Sequence, residues 1–220
     1  GNGGREHAVA EAFARSNHKP QLFVFANKVN PGIRVLSSDY HVLPNLSDAD
    51  ALKKYADTVR PDFAFIGPDN PIGDGMADVL EAIGVPCVSP RKLQAQLESS
   101  KSFTRNLLQK YGIPGNPRFK KFMNEEGCQE FLNELGENYV VKADGLAFGK
   151  GVKVSGDHLK SHDEAMDFVR ECLGEGLSSV GKHSSVVIEE KLEGVEFSLM
   201  AFADGEHLSF MPVVQDHKRA

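Results

Sequence analysis

Cysteine pairs, long apolar runs and an excess of positive charge are all missing from this sequence. Its three cysteines, Cys87, Cys128 and Cys172, are widely spaced and form no CxxC motif, so neither a disulfide framework nor a zinc site is expected. The apolar runs at 22–26 and 63–66 are too short to cross a bilayer. The first residues carry no signal-peptide pattern. These absences predict a cytoplasmic protein with no membrane partner.

The charge balance is mildly acidic. Lys and Arg total 25 against 31 Asp and Glu, which gives a formal net charge of −6. This balance argues against a general nucleic-acid or membrane-surface role, so an anionic ligand has to meet local clusters of basic residues. With 220 residues, of which 40% are hydrophobic and 25% charged, the chain can bury a substantial core in one large or two small domains.

Helical and β patterns alternate over the first ninety residues, as in a parallel α/β fold. The predicted helices are 6–15, 48–59 with Ser47 as its N-cap, and 75–83. The predicted strands are 22–26, 63–66 and 85–88. A turn is predicted at 67–71. Residues 1–90 are therefore expected to form a Rossmann-like N-terminal domain.

The remaining residues change character twice. A helical pattern over 91–111, ended by Gly112, predicts a connection through 91–116. Residues 117–182 combine strands and helices and predict a small α+β lid. Their predicted strands are 118–123, one starting at Tyr139, and 152–155. Their predicted helices are one opened by Asn124 and another at 163–173.

Residues 183–220 have a β pattern, which predicts strands at the start of a further, incomplete core region. The predicted strands are 186–192, 196–203 and 207–214. Asp204 and Gly205 join the last two and predict a hairpin with a two-residue loop.

A glycine-rich loop after the Tyr139 strand predicts a phosphate clamp. Lys142 ends the strand, and Gly145, Gly149 and Gly151 allow backbone N–H groups to approach anionic oxygens closely. Lys150 adds a mobile point charge. The alternative is a flexible hairpin turn with solvated lysines.

A second glycine-rich turn opens the chain at 1–6. Such a turn before a helix presents N–H groups to a phosphate. It is not a dinucleotide fingerprint, because Glu6 stands where Gly or Ala is needed and 26–28 holds no acidic residue. A single phosphate is predicted, with a plain βα turn as the alternative. Because this loop type follows a strand, residues before Gly1 are expected.

The run VVKADGLAFGKGV at 140–152 resembles the lid loop of ATP-grasp ligases, in the form found in the phosphoribosylamine–glycine ligase family. Further segments resemble the same family in the same order. They are GNGGREHA at 1–8, the turn at 67–69, SKS at 100–102, VVIEEKLEGVEFS at 186–198 and PVVQDHKRA at 212–220. Asp69 replaces the usual Glu of the turn. The last string lies mid-protein in that family, so the chain is expected to continue beyond Ala220.

The resemblance implies a role for each matching residue. Those implied for the phosphates of ATP are Lys101, Lys142, Gly145, Gly149, Lys150 and Gly151. Those implied for adenine and ribose are Glu189, Glu190, Leu192 and Glu196. Those implied for the sugar-phosphate substrate are Gly3, Gly4, Arg5, Glu6, Gly67, Pro68, Asp69, Asp216, His217 and Arg219. Those implied for catalysis are Lys142, Asp216, Lys218 and Arg219. In isolation, Lys101 fits a solvated lysine, 186–198 an edge strand protected by charges, and 215–220 a disordered basic tail.

The implied reaction joins glycine to 5-phosphoribosylamine through glycyl phosphate and yields glycinamide ribonucleotide, ADP and phosphate. Phosphoryl transfer of this kind needs positioning and charge neutralisation more than a protein nucleophile. The implied cofactors are ATP and Mg²⁺ or Mn²⁺, with metal ligands expected beyond Ala220. We expect small-molecule partners, no nucleic acid, a monomer or weak homodimer, and an inactive 220-residue fragment. The alternatives are another ATP-grasp carboxylate–amine ligase and a nonenzymatic nucleotide-binding fragment.

Overall fold

Two kinds of β-sheet divide the chain, parallel strand pairs in its first part and an antiparallel sheet in its second. The computed structural model describes residues 1–147, 151–174 and 185–215. Within these ranges, no helix combines the length and apolar character needed to span a bilayer.

The first part alternates helices with short parallel strands, which confirms the predicted fold class. Its elements are α1 (Gly4–Arg15), β1 (Phe23–Ala26), α2 (Pro31–Leu36), β2 (Asp39–Val42), α3 (Ala49–Val59), β3 (Ala64–Phe65), α4 (Asp69–Asp74), α5 (Met76–Glu81) and β4 (Cys87–Val88). β1 pairs with β2 and β3 pairs with β4, both in parallel.

An apolar cavity of about 460 Å³ lies between these two strand pairs. Strand residues such as Phe23 of β1 and Phe65 of β3 line it, whereas Lys101 and Lys142 do not. Such a lining suits apolar packing and offers little to a polyphosphate. The predicted phosphate clamp is therefore separate from this cavity.

The second part is built on a four-stranded antiparallel sheet in the order β5-β8-β6-β7. Its elements are α6 (Lys92–Ser99), α7 (Lys101–Lys110), β5 (Phe119–Phe122), α8 (Cys128–Leu135), β6 (Tyr139–Ala143), β7 (Val152–Val154), α9 (His162–Leu173), β8 (Val186–Glu190), β9 (Phe197–Ser198), β10 (Ala201–Ala203), β11 (Leu208–Phe210) and β12 (Val214–Gln215). α8 and α9 bury Leu132 and Phe168 in one core with β6 and β8.

The helical pattern predicted over 91–111 corresponds to two helices. α6 ends at Ser99 and α7 begins at Lys101, because Ser100 between them has extended backbone, with φ −136° and ψ 111°. The Ser100 Oγ accepts a hydrogen bond from Phe103 N at 3.2 Å and caps α7. The start of a helix at the SKS string is confirmed, whereas the end of a preceding helix at Ser99 was not predicted.

Two predicted N-caps are also wrong. Asp48 caps α3 in place of Ser47, since its Oδ1 accepts a first-turn N–H at 3.0 Å. α8 begins at Cys128 and not at Asn124, because Gly127 before it has φ 78° in the left-handed region.

The helix predicted over 75–83 is preceded by another. α4 begins at Asp69, directly after Pro68, where a turn was predicted. Gly75, with φ 88°, separates α4 from α5. Asp69 therefore lies in the first turn of a helix.

The strands predicted over 196–203 and 207–214 are each divided in two. β10 and β11 form the predicted hairpin, but the register Ala203↔Leu208 leaves a four-residue loop instead of two residues. Asp204 Oδ1 accepts the N–H groups two and three residues further on, at 2.9 and 2.7 Å. This side-chain turn holds the longer loop.

Candidate functional site

Lys101 and Lys142 come together at the end of β6. Lys142 lies on β6, and the ammonium of Lys101, the first residue of α7, donates to the carbonyl of Gly145 at 2.7 Å. Burial lowers the pKa of Lys101, the charge of Asp144 opposes that change, and the nearby charge of Lys142 adds to it. Two lysines from separate segments therefore share one region, as the sequence predicted.

A buried carboxylate on β8 holds Lys142. The side chain of Glu189 is 4% exposed and accepts two hydrogen bonds from Arg105, at 2.8 and 3.1 Å. The ammonium of Lys142 contacts the same carboxylate. Burial by itself raises the pKa of Glu189, but the hydrogen bonds and charges of Arg105 and Lys142 outweigh it and hold the pKa below its ordinary value.

The sequence analysis missed Arg105 and this role of Glu189. Lys101 and Arg105 are four residues apart on α7, so they lie on the same helix face. That spacing was the available signal, because the sequence already places Lys101 at the start of a helix.

Asp144 is a second buried carboxylate that sequence reasoning passed over. It follows β6 directly, and its side chain is 5% exposed. Ser102 donates to it from both its backbone N–H and its hydroxyl, at 3.1 and 2.5 Å. Burial favours the neutral acid, but these hydrogen bonds, one from Ser185 and the charge of Lys121 keep the pKa of Asp144 below its ordinary value.

The described part of the glycine-rich loop folds closely on itself. Gly145 has φ 137°, a conformation that L side chains rarely adopt. At Gly151, an added Cβ would lie 2.4 Å from the Cβ of Ala147, so only glycine fits there. Ala143 N donates to Gly151 O at 2.7 Å and closes the loop. Gly149 and Lys150 lie outside the described residues.

The segment predicted to bind adenine is partly engaged in the sheet. Glu190 N donates to Arg118 O at 2.9 Å, and Lys191 N donates to Asn138 O at 3.0 Å. The Glu190 carboxylate accepts from the guanidinium of Arg118 at 2.8 Å. Leu192 follows the last of these paired residues. These two backbone N–H groups are therefore engaged within the sheet, and the assignment of the segment to adenine stays a prediction. Glu196, predicted for ribose, is exposed just before β9.

The two glycine-containing turns of the N-terminal part meet each other. Arg5 donates to Asp69 Oδ1 at 3.0 Å and to Gly67 O at 3.2 Å. The Glu6 carboxylate accepts from Gly3 N at 2.6 Å. A Cβ on Gly67 would lie 2.3 Å from a Glu6 oxygen.

The remaining residues predicted for this turn region lie at the same place. Gly4 opens α1, and an added Cβ there would meet no atom within 4 Å. Pro68 precedes Asp69, and its side chain would lie 2.7 Å from a Cβ on Gly1. The structure thus brings together all the described residues predicted for the sugar-phosphate substrate.

The other predicted residues fall outside the described ranges. They are Asp216, His217, Lys218 and Arg219. Across 1–147, 151–174 and 185–215, no group of three or more His, Cys, Asp or Glu side chains is arranged to hold a metal ion. The two buried carboxylates near the lysines, on Asp144 and Glu189, are engaged by hydrogen bonds and ion pairs.

The antiparallel sheet, its two converging lysines and the glycine-rich loop, placed after a parallel α/β part, define a protein of the ATP-grasp class. Residues 1–98 match the family model of the phosphoribosylglycinamide synthetase N domain, and residues 99–220 match that of its ATP-grasp (A) domain. The chain belongs to the phosphoribosylglycinamide synthetase family.

Its similar proteins agree with this family. The phosphoribosylamine–glycine ligases of Methanococcus maripaludis strain C7 and Methanocaldococcus jannaschii are each 45% identical to it, and each match covers 100% of this chain and 49% of the relative. The chain therefore spans about half the length of these curated relatives.

Solved structures show the same relationship. The crystal structure of phosphoribosylamine–glycine ligase from Thermotoga maritima has a TM-score of 0.77 at 30% identity, covering 100% of this chain and 49% of that one. The structure of an ADP complex of N5-carboxyaminoimidazole ribonucleotide synthetase has a TM-score of 0.69 at 18% identity. This match covers 97% of this chain and 51% of that one. At that identity the likeness concerns the fold alone.

Proposed function

We propose that this chain carries the sugar-phosphate site and part of the ATP site of a phosphoribosylamine–glycine ligase. The observation that supports the proposal is the closeness of α4 to the loop after β6. A Cβ on Gly73 of α4 would lie 3.5 Å from the side chain of Leu146, in the loop after β6. α4 begins at Asp69, beside Arg5, so the helix that starts at the two glycine-containing turns passes close to the loop that follows Lys142.

The proposed reaction has two steps. A carboxylate oxygen of glycine attacks the γ-phosphorus of ATP and ADP leaves, which gives glycyl phosphate. The amine of 5-phosphoribosylamine then attacks the acyl carbon, loses a proton and displaces phosphate, which gives glycinamide ribonucleotide. Both steps concentrate negative charge on phosphate oxygens, and fixed cations lower the free energy of such transition states.

Lys101 and Lys142 supply that charge in the proposal. Lys142 approaches the site already oriented by Glu189, and Lys101 reaches it from the start of α7. Arg5 and the N–H groups at the start of α1 would meet the substrate phosphate. Leu192 would present its backbone to adenine and Glu196 its carboxylate to ribose.

Several parts of the proposal concern residues outside the described ranges. Gly149 and Lys150 would close over the triphosphate, while Asp216, His217, Lys218 and Arg219 would contact substrate anions. Mg²⁺ or Mn²⁺ is expected to accompany ATP. We further propose a cytoplasmic monomer or weak homodimer acting on small molecules only.

Substitution of Lys142 tests the ATP site in the full-length protein. Lys142→Met should weaken ATP binding about tenfold or more, because charge-assisted hydrogen bonds contribute about 1.5–3 kcal/mol. Lys120→Met is the matched control, since Lys120 lies on the same sheet but pairs with exposed Glu134 at 3.3 Å. Titration calorimetry gives both affinities, and an unchanged value for Lys142→Met removes this lysine from the site.

The substrates are tested by their effect on ATP hydrolysis. ADP release by the full-length protein should require both glycine and phosphoribosylamine for its full rate. Equal stimulation by glycine alone, or by an unrelated carboxylate and amine, would favour another ATP-grasp ligase. ATP binding without turnover under all these conditions would favour a nonenzymatic nucleotide-binding protein.

A further inference from the structure

The carboxylate of Asp144 ties together three elements of the second part. One oxygen accepts from Ser102 N at 3.1 Å and from Ser100 Oγ at 3.2 Å. The other accepts from Ser102 Oγ at 2.5 Å and from Ser185 Oγ at 3.1 Å. Asp144 follows β6, the two serines flank the start of α7, and Ser185 precedes β8.

These bonds fasten the chain on both sides of Lys101. Ser100 and Ser102 are its neighbours, and both bind the same carboxylate. The Lys101 ammonium donates to the carbonyl of Gly145, the residue after Asp144. The start of α7 is therefore held against the loop after β6 through the backbone, two hydroxyl groups and the lysine itself.

The position also suits the charges involved. A carboxylate at a helix N-terminus is stabilised by the helix dipole, whereas a lysine there is not. Burial lowers the pKa of Lys101, and the negative charge of Asp144 counteracts that effect. Asp144 thus offsets two costs of placing a charged lysine at this point.

We infer that Asp144 is a positioning residue for the phosphates of ATP, acting through Lys101. By fixing the first turn of α7, it holds the Lys101 ammonium beside the β6 segment that carries Lys142. This inference rests on the proposed function, since it gives Lys101 a phosphate to meet.

A double-mutant cycle on ATP affinity in the full-length protein tests it. Lys101→Ala should weaken ATP binding about tenfold or more. Asp144→Asn, which cannot accept all four hydrogen bonds, should weaken binding about tenfold in the wild-type background and less than about twofold in the Lys101→Ala background. Asp167→Asn, an exposed Asp paired with Arg170, is the matched control and should leave affinity unchanged.

The outcomes separate the two claims. Equal losses from Asp144→Asn in both backgrounds would mean that Asp144 acts only on general structure, and would overturn the inference. No loss from Lys101→Ala would instead remove Lys101 from the phosphate site of the proposed function. If Asp144→Asn does not fold, Ser102→Ala replaces it in the cycle, because it removes one donor and keeps the charge. The same non-additive pattern is then expected.

Discussion

Arg105 donates two hydrogen bonds to the carboxylate of Glu189, at 2.8 and 3.1 Å, and so joins helix α7 to β8, an inner strand of the sheet. The same carboxylate contacts Lys142. One buried acid thus fixes two cations from different elements, and the site depends on it for both stability and charge.

Removing that acid should destabilise the fold. Glu189→Gln leaves Arg105 and Lys142 without their counter-charge, and breaking a buried pair costs about 3–5 kcal/mol. Urea unfolding measures the loss. Glu190→Gln is the control, because its partner Arg118 is largely exposed and a much smaller loss is expected. Equal losses for the two variants would contradict a special role for Glu189.

Stability should fall in acid. The pKa values of Glu189 and Asp144 in the folded protein are below their ordinary range. As pH falls, these two carboxylates are therefore protonated in the unfolded chain before they are protonated in the folded one, which favours unfolding. Their contribution is complete above the unfolded pKa values of about 4 and is lost as pH falls through the folded values. Unfolding free energies at pH 7, 4 and 3 should therefore decline less in a Glu189→Gln, Asp144→Asn double variant than in wild type. Parallel declines would exclude these two groups as the cause.

Gly151→Ala should disturb the loop. Its new methyl group would lie 2.4 Å from the Cβ of Ala147 and 3.2 Å from that of Ala143, and overpacking of this kind costs about 1–3 kcal/mol. Gly194→Ala is the matched control, because a Cβ there meets no atom within 4 Å. Thermal unfolding compares the two variants. An unaltered melting temperature in Gly151→Ala would contradict the prediction, because it would mean that the loop accommodates the added methyl group without loss of stability.

Arg5→Gln should separate the two proposed substrate sites kinetically. Loss of its charge should raise the KM for phosphoribosylamine about tenfold while leaving the KM for ATP within twofold. Arg15→Gln, at the other end of α1, removes an exposed arginine and should change neither. Steady-state kinetics of the full-length protein give these values. A matching rise in both constants for Arg5→Gln would argue for a general structural effect.

Local patterns predicted much of the fold. Alternation in the first part and the apolar strand at Tyr139 were visible because burial follows sequence periodicity. The exact ends of the helices were harder to predict from the sequence, because each end depends on the hydrogen bond of a single side chain. Ser100 ends one helix and caps the next, and Asp48 displaces Ser47 as a cap. Both outcomes depend on which oxygen reaches a first-turn N–H, and adjacent residues compete for that bond.

The sequence predicted that the two lysines converge, but not that the side chains of Glu189 and Asp144 hold the elements that carry them, and the roles assigned to these residues stay predictions. Lys101 and Lys142 meet at the end of β6, and the turns carrying Arg5 and Asp69 meet each other. The resemblance assigns the backbone around Glu189 to adenine, which stays a prediction, and it gave no sign that the Glu189 side chain holds Lys142. A pairing between residues so far apart in sequence depends on how β8 lies beside β6, which no local pattern contains. The domain boundaries near 90, 116 and 182 stay predictions.

The ion pair between Glu189 and Lys142 has a thermodynamic consequence for any anion that binds Lys142. Immobilising a lysine side chain that is free in solvent costs about 2 kcal/mol of free energy, because the side chain loses conformational entropy. Here Glu189 has already restricted that side chain during folding. An incoming polyanion therefore meets a preorganised ammonium, and the ordering penalty that would otherwise weaken the complex has been met beforehand.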